Sequence, residues 1–284
     1  MDFILRMNSA IDYIEANLAD DISYGNAAQI ACCSTYHFQR MFSFIAGVPL
    51  SEYIRRRRLT LAAFELQSGG IKVIDTALKY GYESPEAFSR AFKKQHGVIP
   101  VSARDMGVSL KAYPKMSFLL SVRGDTEMKY RIKERETFKV FGVYAEISTD
   151  QEKAFEQVPQ FFRKCDEDLV PNEINALLGR FHDNHTISAI YDNTEASMKY
   201  MLCQYLPKNL AVPEKFTVLD VPAQTYAVFD VPDCEIQAMW RRIWPEWFPA
   251  SGYESVEGVS FEMYYGLASH ENIHSEIWIP VRKK

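Results

Sequence analysis

Several features that would each open a class of function are missing from this sequence. No apolar run approaches the ~20 residues a membrane-spanning helix requires. The opening residues, MDFILRMNSAIDYIEANL, lack the basic start and small-residue cleavage site of a secretory signal. Cysteine is scarce: Cys32, Cys33, Cys165, Cys203 and Cys234 form an odd set with no C-x-x-C, and adjacent Cys32 and Cys33 are poor partners for each other or for zinc. Reduced thiols and a cytoplasmic location are expected. His182-x-x-His185 and His270-x-x-x-His274 fall in polar text that reads as loop, so no metal or other cofactor is expected. There is no Ser-His-Asp set and no phosphate-cradling P-loop, so the chain does not read as an enzyme. A basic excess is missing too. The net charge is −5, with 12 Lys and Arg against 11 Asp and Glu through residue 105 and 20 against 26 after it.

What is present begins with a helix. Ile4, Met7, Ile11, Ile14 and Leu18 recur at helical spacing. The most informative stretch is residues 71–104, IKVIDTALKYGYESPEAFSRAFKKQHGVIPVSAR. Ile74, Ala77 and Leu78 predict one apolar helix face, and Gly81 breaks that helix where a turn needs positive φ. Ser84 then reads as the N-cap of a second helix with Pro85 at its first position. Phe88 and Phe92 face inward, and Arg90, Lys93 and Lys94 are left on a basic front. A weaker copy lies at 23–44: Ala27, Ala28 and Ile30, a turn, Ser34 as N-cap, then Phe38, Met41, Phe42 and Ile45 inside. Cys32 stands where the second copy has Gly81. A cysteine with positive φ is strained, so a differently bent turn is expected there.

Between the copies, residues 49–67 read as one helix stopped by Gly69 and Gly70, about 27 Å long. Its Arg55, Arg56, Arg57 and Arg58 point around the whole circumference, about 100° apart, so one or two of them are expected to bind carboxylates inside the domain. The others, with Arg40, Arg90, Lys93 and Lys94, are candidates for a basic surface.

This duplicated helix-turn-helix, with YIRRRRL between the copies, resembles the AraC/XylS-type transcription regulators over residues 8–105. The resemblance implies an all-α domain, here 1–106, whose partner is double-stranded promoter DNA. It implies groove contacts from Tyr36, Gln39 and Arg40 in the first motif and from Glu86, Ala87 and Arg90 in the second, with Lys93 and Lys94 beside them. It also implies activation through RNA polymerase. Two recognition helices on one chain predict an asymmetric site of about two helical turns.

After a mixed stretch at 107–126, expected to be a linker, the pattern turns to strands. An extended segment around Phe138 and Val140 precedes an amphipathic helix over 151–168, with Phe155, Val158, Phe161, Phe162 and Leu169 as its apolar positions, and two strands follow. The order then returns: strands at 215–223 and 224–232, a helix in IQAMWRRIWPEWFPASG, and strands in SFEMYYGL and SEIWIPV. The expectation for 127–284 is therefore an α+β domain of two ββαββ-type repeats around a pseudo-twofold groove, and for the whole chain a multidomain architecture. Ligand sites favour such junctions.

Parity on the closing strands puts Glu262 and Tyr264 on one face and Phe261, Met263 and Tyr265 on the other. Aligning Tyr264 with Tyr191 places Ala189 opposite Glu262 in the first repeat. Trp240, Trp244 and Trp247 share a helix face, although Pro245 must bend or end that helix. This half resembles the GyrI-like effector-binding domain, and the order of the two domains is that of Rob-type AraC regulators. The resemblance implies that Glu262 faces a small-molecule effector. Tyr264, Trp240, Trp244 and Glu276 are further candidates, and rings around a carboxylate favour an organic, lipophilic cation. Two other readings compete: a constitutive regulator whose second domain binds protein, and a GyrI-like hydrolase fused to a DNA-binding domain.

Overall fold

The computed structural model describes residues 2–118, 127–179, 185–194, 196–266 and 273–284. The chain divides into two compact units, residues 1–38 with 50–122 and residues 39–49 with 123–284.

The first unit is helical. α1 (Asp2–Ala16) is followed by α2 (Tyr24–Ile30), α3 (Thr35–Ala46), α4 (Leu50–Ser68), α5 (Val73–Lys79) and α6 (Pro85–His96), and residues 39–46 of α3 fall in the second unit. On and just after α1, Met7, Ile11, Ile14 and Leu18 are buried, as their spacing requires. The core of the second motif joins Leu59, Ala62 and Leu66 of α4 to Ala77, Tyr80, Phe88 and Phe92. Ser84 caps α6 by accepting from the Ala87 N–H, with Pro85 in the first turn.

The apolar face expected on α5 is corrected. Ile74 and Leu78 are exposed, and the inward stripe runs through Val73, Thr76, Ala77 and Tyr80, one position round the helix. Small Ala77 lets the short helix approach, and Tyr80 just beyond its end supplies the bulk.

The first turn is also corrected. It is not bent differently: Cys32 adopts φ 55°, matching φ 78° at Gly81. Cys33 N–H donates to the Ala28 carbonyl at 3.1 Å and Cys32 N–H to Gln29 at 3.0 Å. Tyr82 N–H donates to Ala77 and Gly81 N–H to Leu78, both at 3.0 Å, so both turns close with the same Schellman pair. The left-handed cysteine costs about 1–2 kcal/mol, and the two satisfied carbonyls offset it.

Part of the expected linker is bound to this unit. Asn8 exchanges two hydrogen bonds with the Phe118 backbone (3.0 and 2.8 Å), and Tyr113 N–H donates to Thr60 Oγ1 at 3.1 Å.

The second unit contains β1 (Tyr130–Arg135), β2 (Phe138–Ser148), α7 (Gln151–Glu167), α8 (Val170–Leu178), β3 (His185–Tyr191), β4 (Ser197–Tyr205), β5 (Thr217–Val221), β6 (Gln224–Val231), α9 (Ile236–Arg242), β7 (Tyr253–Ser255), β8 (Ser260–Tyr265) and β9 (His274–Lys283). The strands form one antiparallel sheet in the order β1-β6-β9-β8-β3-β4-β2-β5, with β7 beside β9. Exchanging β1 with β5, β2 with β6, β3 with β8 and β4 with β9 leaves this order unchanged. The repeat in the sequence is therefore a repeat in space, and its pseudo-twofold passes between β3 and β8.

The same order forces the sheet to curl. Only residues 136 and 137 join β1 to β2, a reach of about 10 Å. In a flat sheet those strands would stand six spacings apart, about 29 Å. Residues 222 and 223 join β5 to β6 across an equal gap. Accordingly, Phe138 on β2 lies 5.7 Å from Phe261 on β8, ring centre to ring centre, although β3 and β4 intervene. The concave face encloses a core of Val140, Ile187, Met201, Tyr226, Phe261 and Trp278. Gly142 permits the tight pairing of β2 with β4: a Cβ there would stand 1.9 Å from the Leu202 carbonyl oxygen.

Two elements were not read from the sequence. α8 follows α7 through a left-handed, exposed Leu169 (φ 55°), which therefore does not join α7's apolar face as expected. β7 has only three residues, too short for a pattern. The helix ends ahead of Pro245 as expected: α9 stops at Arg242 and passes into a wider turn over 243–247, with Phe248 N–H reaching the Ile243 carbonyl. His185 and His274 belong to strands rather than loops, while His182 and His270 lie outside the described residues.

Candidate functional site

On β8 the alternation holds. Phe261 and Met263 join the concave core, and Glu262 and Tyr264 take the convex face. The Cα partners of Glu262 are Ser188 on β3 and Ile277 on β9. Ser188 therefore shares its face, while Ala189 pairs with Phe261 and belongs to the other side. The expected equivalence of Ala189 with Glu262 is thus one residue out of register, and a slip of one reverses the face.

Glu262 is only 5% exposed. Its Oε2 accepts from the Tyr200 hydroxyl at 2.5 Å and the Tyr264 hydroxyl at 2.7 Å, and its Oε1 accepts from the Trp240 indole N–H at 2.7 Å. Tyr200 arrives from β4, across β3; Trp240 descends from α9. Phe161 and Phe162 of α7 pack edge-on against Tyr200 at 6.0 and 5.9 Å, and Phe162 also meets Tyr264. The carboxylate is therefore held on the sheet by residues from the helices of both repeats. Burial, and then the charge of Glu262, push the Tyr200 and Tyr264 hydroxyls well above their ordinary range, so both stay protonated as donors. Among the described residues no Lys, Arg or His pairs with Glu262.

The other candidates separate. Trp244 is buried against Phe248, with ring centres 4.7 Å apart, and is not among the hydrogen-bond donors to Glu262. Trp247 packs on Phe229 and Tyr130. Glu276 pairs with Met263, so it lies on the concave side. It accepts from Trp278 Nε1 at 2.8 Å and from Arg131 at 2.5 Å, and Arg131 also binds Asp230 at 2.7 Å. The structure thus gathers Glu262, Tyr264 and Trp240 and leaves Trp244 and Glu276 out. Tyr200, Phe161 and Phe162 were not singled out in the sequence as site residues. Tyr200 sits in a strand buried on both faces over 200–203, so nothing in its pattern singles it out, and its approach to Glu262 depends on β4 and β8 both pairing with β3.

On α6, Glu86, Arg90, Lys93 and Lys94 are exposed at i, i+4, i+7 and i+8, opposite buried Phe88, Phe92, Gln95 and His96; Ala87 is half-buried beside them. Tyr36, Gln39 and Arg40 fall at i, i+3 and i+4 on α3, all half-buried. The arginine run is largely internal. Arg57 forks onto Glu15 (2.7 and 2.8 Å) and donates to the Tyr113 carbonyl. Burial raises Glu15, but Arg57 and the Tyr53 hydroxyl hold it below the usual carboxylate range. Arg58 donates to the carbonyls of Leu18 and Asp20, and Arg55 and Arg56 share Glu52. No group of three His, Cys, Asp or Glu fit for a metal occurs among the described residues.

Residues 131–281 match the family of integron-associated effector binding proteins, and residues 27–106 match a helix-turn-helix domain family. The HTH-type transcriptional activator AarP of Providencia stuartii is 46% identical over 88 residues, 31% of this chain and 65% of AarP. The probable transcription factor PqrA of Proteus vulgaris is 35% identical over 103 residues, 36% of this chain and 84% of PqrA. The right origin-binding protein of Escherichia coli is 38% identical over 92 residues, 32% of each chain. The chain thus spans just under two thirds of AarP and about a third of the right origin-binding protein.

Proposed function

This chain belongs to the integron-associated effector binding protein family and carries an AraC-type helix-turn-helix domain ahead of that region, and we propose that it is a one-component transcription regulator. In this reading the helical domain binds a promoter as a monomer, through Tyr36, Gln39 and Arg40 on α3 and Glu86, Ala87 and Arg90 on α6. Lys93 and Lys94 contact phosphate. The sheet domain senses an organic cation at Glu262, Tyr264 and Trp240, and the bound state activates transcription with RNA polymerase in the cytoplasm. We place the helical domain at 1–106 and the sensor at 127–284. The role is sensing rather than turnover.

One observation carries the sensor reading. Glu262 is buried, both its oxygens are met by neutral donors, and no cation among the described residues pairs with it. Burying a carboxylate without a counter-charge costs several kcal/mol even after relaxation (~3–5 when a partner is missing). A cationic ligand stacked on Trp240 and Tyr264 would supply that charge.

Titration of the full chain with tetraphenylphosphonium, followed by tryptophan fluorescence and calorimetry, tests this. Glu262→Gln keeps the shape and is expected to weaken binding by about 1.5–3 kcal/mol, roughly 10- to 150-fold. Equal affinity of the two proteins would reject the assignment. For the DNA half, Arg40→Ala and Arg90→Ala are each expected to cost about 1–3 kcal/mol on a cognate promoter, with one footprint of about two helical turns and no inverted repeat. A strict need for a palindrome would contradict the monomeric mode.

A further inference from the structure

The concave face of the curled sheet ends in a rim that the roles above do not use. The C-terminal ends of β1, β4 and β8 meet the N-terminal ends of β2, β3 and β9 there. β1 is an edge strand whose Arg131, Lys133 and Arg135 alternate onto the concave side. Arg131 is neutralised by Asp230 and Glu276. Among the described residues neither Lys133 nor Arg135 has a carboxylate partner.

Both unpaired cations lie on rings instead. The Arg135 guanidinium stands 4.9 Å from the ring centre of Phe138, 5.5 Å from Tyr205 and 5.8 Å from Trp278, and the Lys133 ammonium is 5.0 Å from Trp278. Further aromatic surface continues from Tyr205. His185 lies 6.2 Å from Tyr205 and 5.8 Å from Tyr265, and Tyr265 stacks on His274 at 4.5 Å. Arg135, Tyr205, Tyr265 and His185 are each partly exposed, so water and solutes reach them.

We propose that this rim is a second small-molecule site, one that takes an aromatic carboxylate. A guanidinium forks onto a carboxylate through two parallel N–H···O bonds, and Lys133 adds a second positive charge. Flat rings favour a flat ligand by offset or edge-on stacking. Among the described residues the buried acid of this rim is Glu276, which already has Arg131, so it does not cancel Arg135. The ligand sign is the reverse of that proposed at Glu262, on the opposite face of the same sheet. The proposal does not depend on the cation reading.

The test uses the full chain and 1-naphthoate, with 1-naphthamide as the neutral isostere, in calorimetry and ligand-observed NMR. Saturable naphthoate binding is expected, with naphthamide weaker by about tenfold or more. Arg135→Gln should lose about tenfold or more in naphthoate affinity. Arg135→Lys, which keeps the charge and removes the fork, should fall between. Glu262→Gln should leave naphthoate binding unchanged. Circular dichroism melts establish that each variant is folded, and Lys133→Gln gives a second, milder loss should Arg135→Gln unfold. Absence of saturation up to the solubility limit would overturn the proposal. So would equal affinity in the Arg135 and Lys133 variants, or loss of naphthoate binding in Glu262→Gln.

Discussion

Glu262 and Glu276 sit on neighbouring strands, β8 and β9, and are 5% and 7% exposed. Each accepts an indole N–H and a tyrosine hydroxyl. They differ in the charge of their donors. Glu276 has the guanidinium of Arg131, and among the described residues Glu262 has only neutral donors. The pleat places them on opposite faces, so the cations of edge strand β1 reach one and not the other. In the sensor reading proposed above, a buried acid with a counter-charge is complete, and one without is open to a ligand's. Residue type and burial alone do not separate the two; the identity of the donors does.

Removing the counter-charge from Glu276 should produce the largest effect. Arg131→Ala strands a buried carboxylate, a change worth about 3–5 kcal/mol in a dry interior. Because Arg131 is 44% exposed, water screens the loss, and about 2 kcal/mol is expected in urea unfolding. Adding Glu276→Gln should restore most of it.

Alkali should strike the Glu262 side through its donors. Tyr200 and Tyr264 titrate above their unfolded value of about 10. The stability they contribute is therefore full below about pH 10 and is lost as pH rises through their folded values, by up to about 1.4 kcal/mol per pH unit for each tyrosine. In alkaline unfolding Tyr200→Phe should make that slope shallower by one proton. An unchanged slope would mean that the hydroxyl is not held protonated in the folded chain by its burial and by Glu262.

Glu262→Gln should barely move stability without ligand, by less than about 1 kcal/mol in either direction, because removing an uncompensated buried charge offsets a weaker set of hydrogen bonds. A large destabilisation would make Glu262 structural, like Glu276.

A similar contrast in the helical unit gives the smallest effect. Cys32→Gly relieves about 1–2 kcal/mol of left-handed strain and adds about 0.4–1 kcal/mol of unfolded-state entropy. At the middle of both ranges the net gain is about 0.8 kcal/mol, and it should appear as a slightly higher melting temperature.

Much of the architecture was readable along the chain. The caps at Ser34 and Ser84, the break at Gly81, and the inward Phe88 and Phe92 all follow from relations within four residues, whereas the left-handed turn at Cys32 does not, because a cysteine there argues against positive φ. The two strand-helix-strand repeats follow from alternation and order. α5 shows the limit: seven residues carry too few turns to distinguish a stripe at 73, 76 and 77 from one at 74, 77 and 78.

By itself, then, the sequence determined what is local: two helix-turn-helix motifs, a repeated α+β half, and Glu262 sharing a face with Tyr264. Only the tertiary structure decided that Tyr200 reaches across β3 to Glu262, that Trp240 rather than Trp244 completes the carboxylate's shell, and that Arg57 belongs to Glu15. It also decided that Arg131 belongs to Glu276 while Arg135 has no acid among the described residues. The reason is geometric. Spacing along a helix or strand is set by backbone repeat, whereas neighbours across a sheet depend on strand order, register and curl, and those emerge only when the whole core closes.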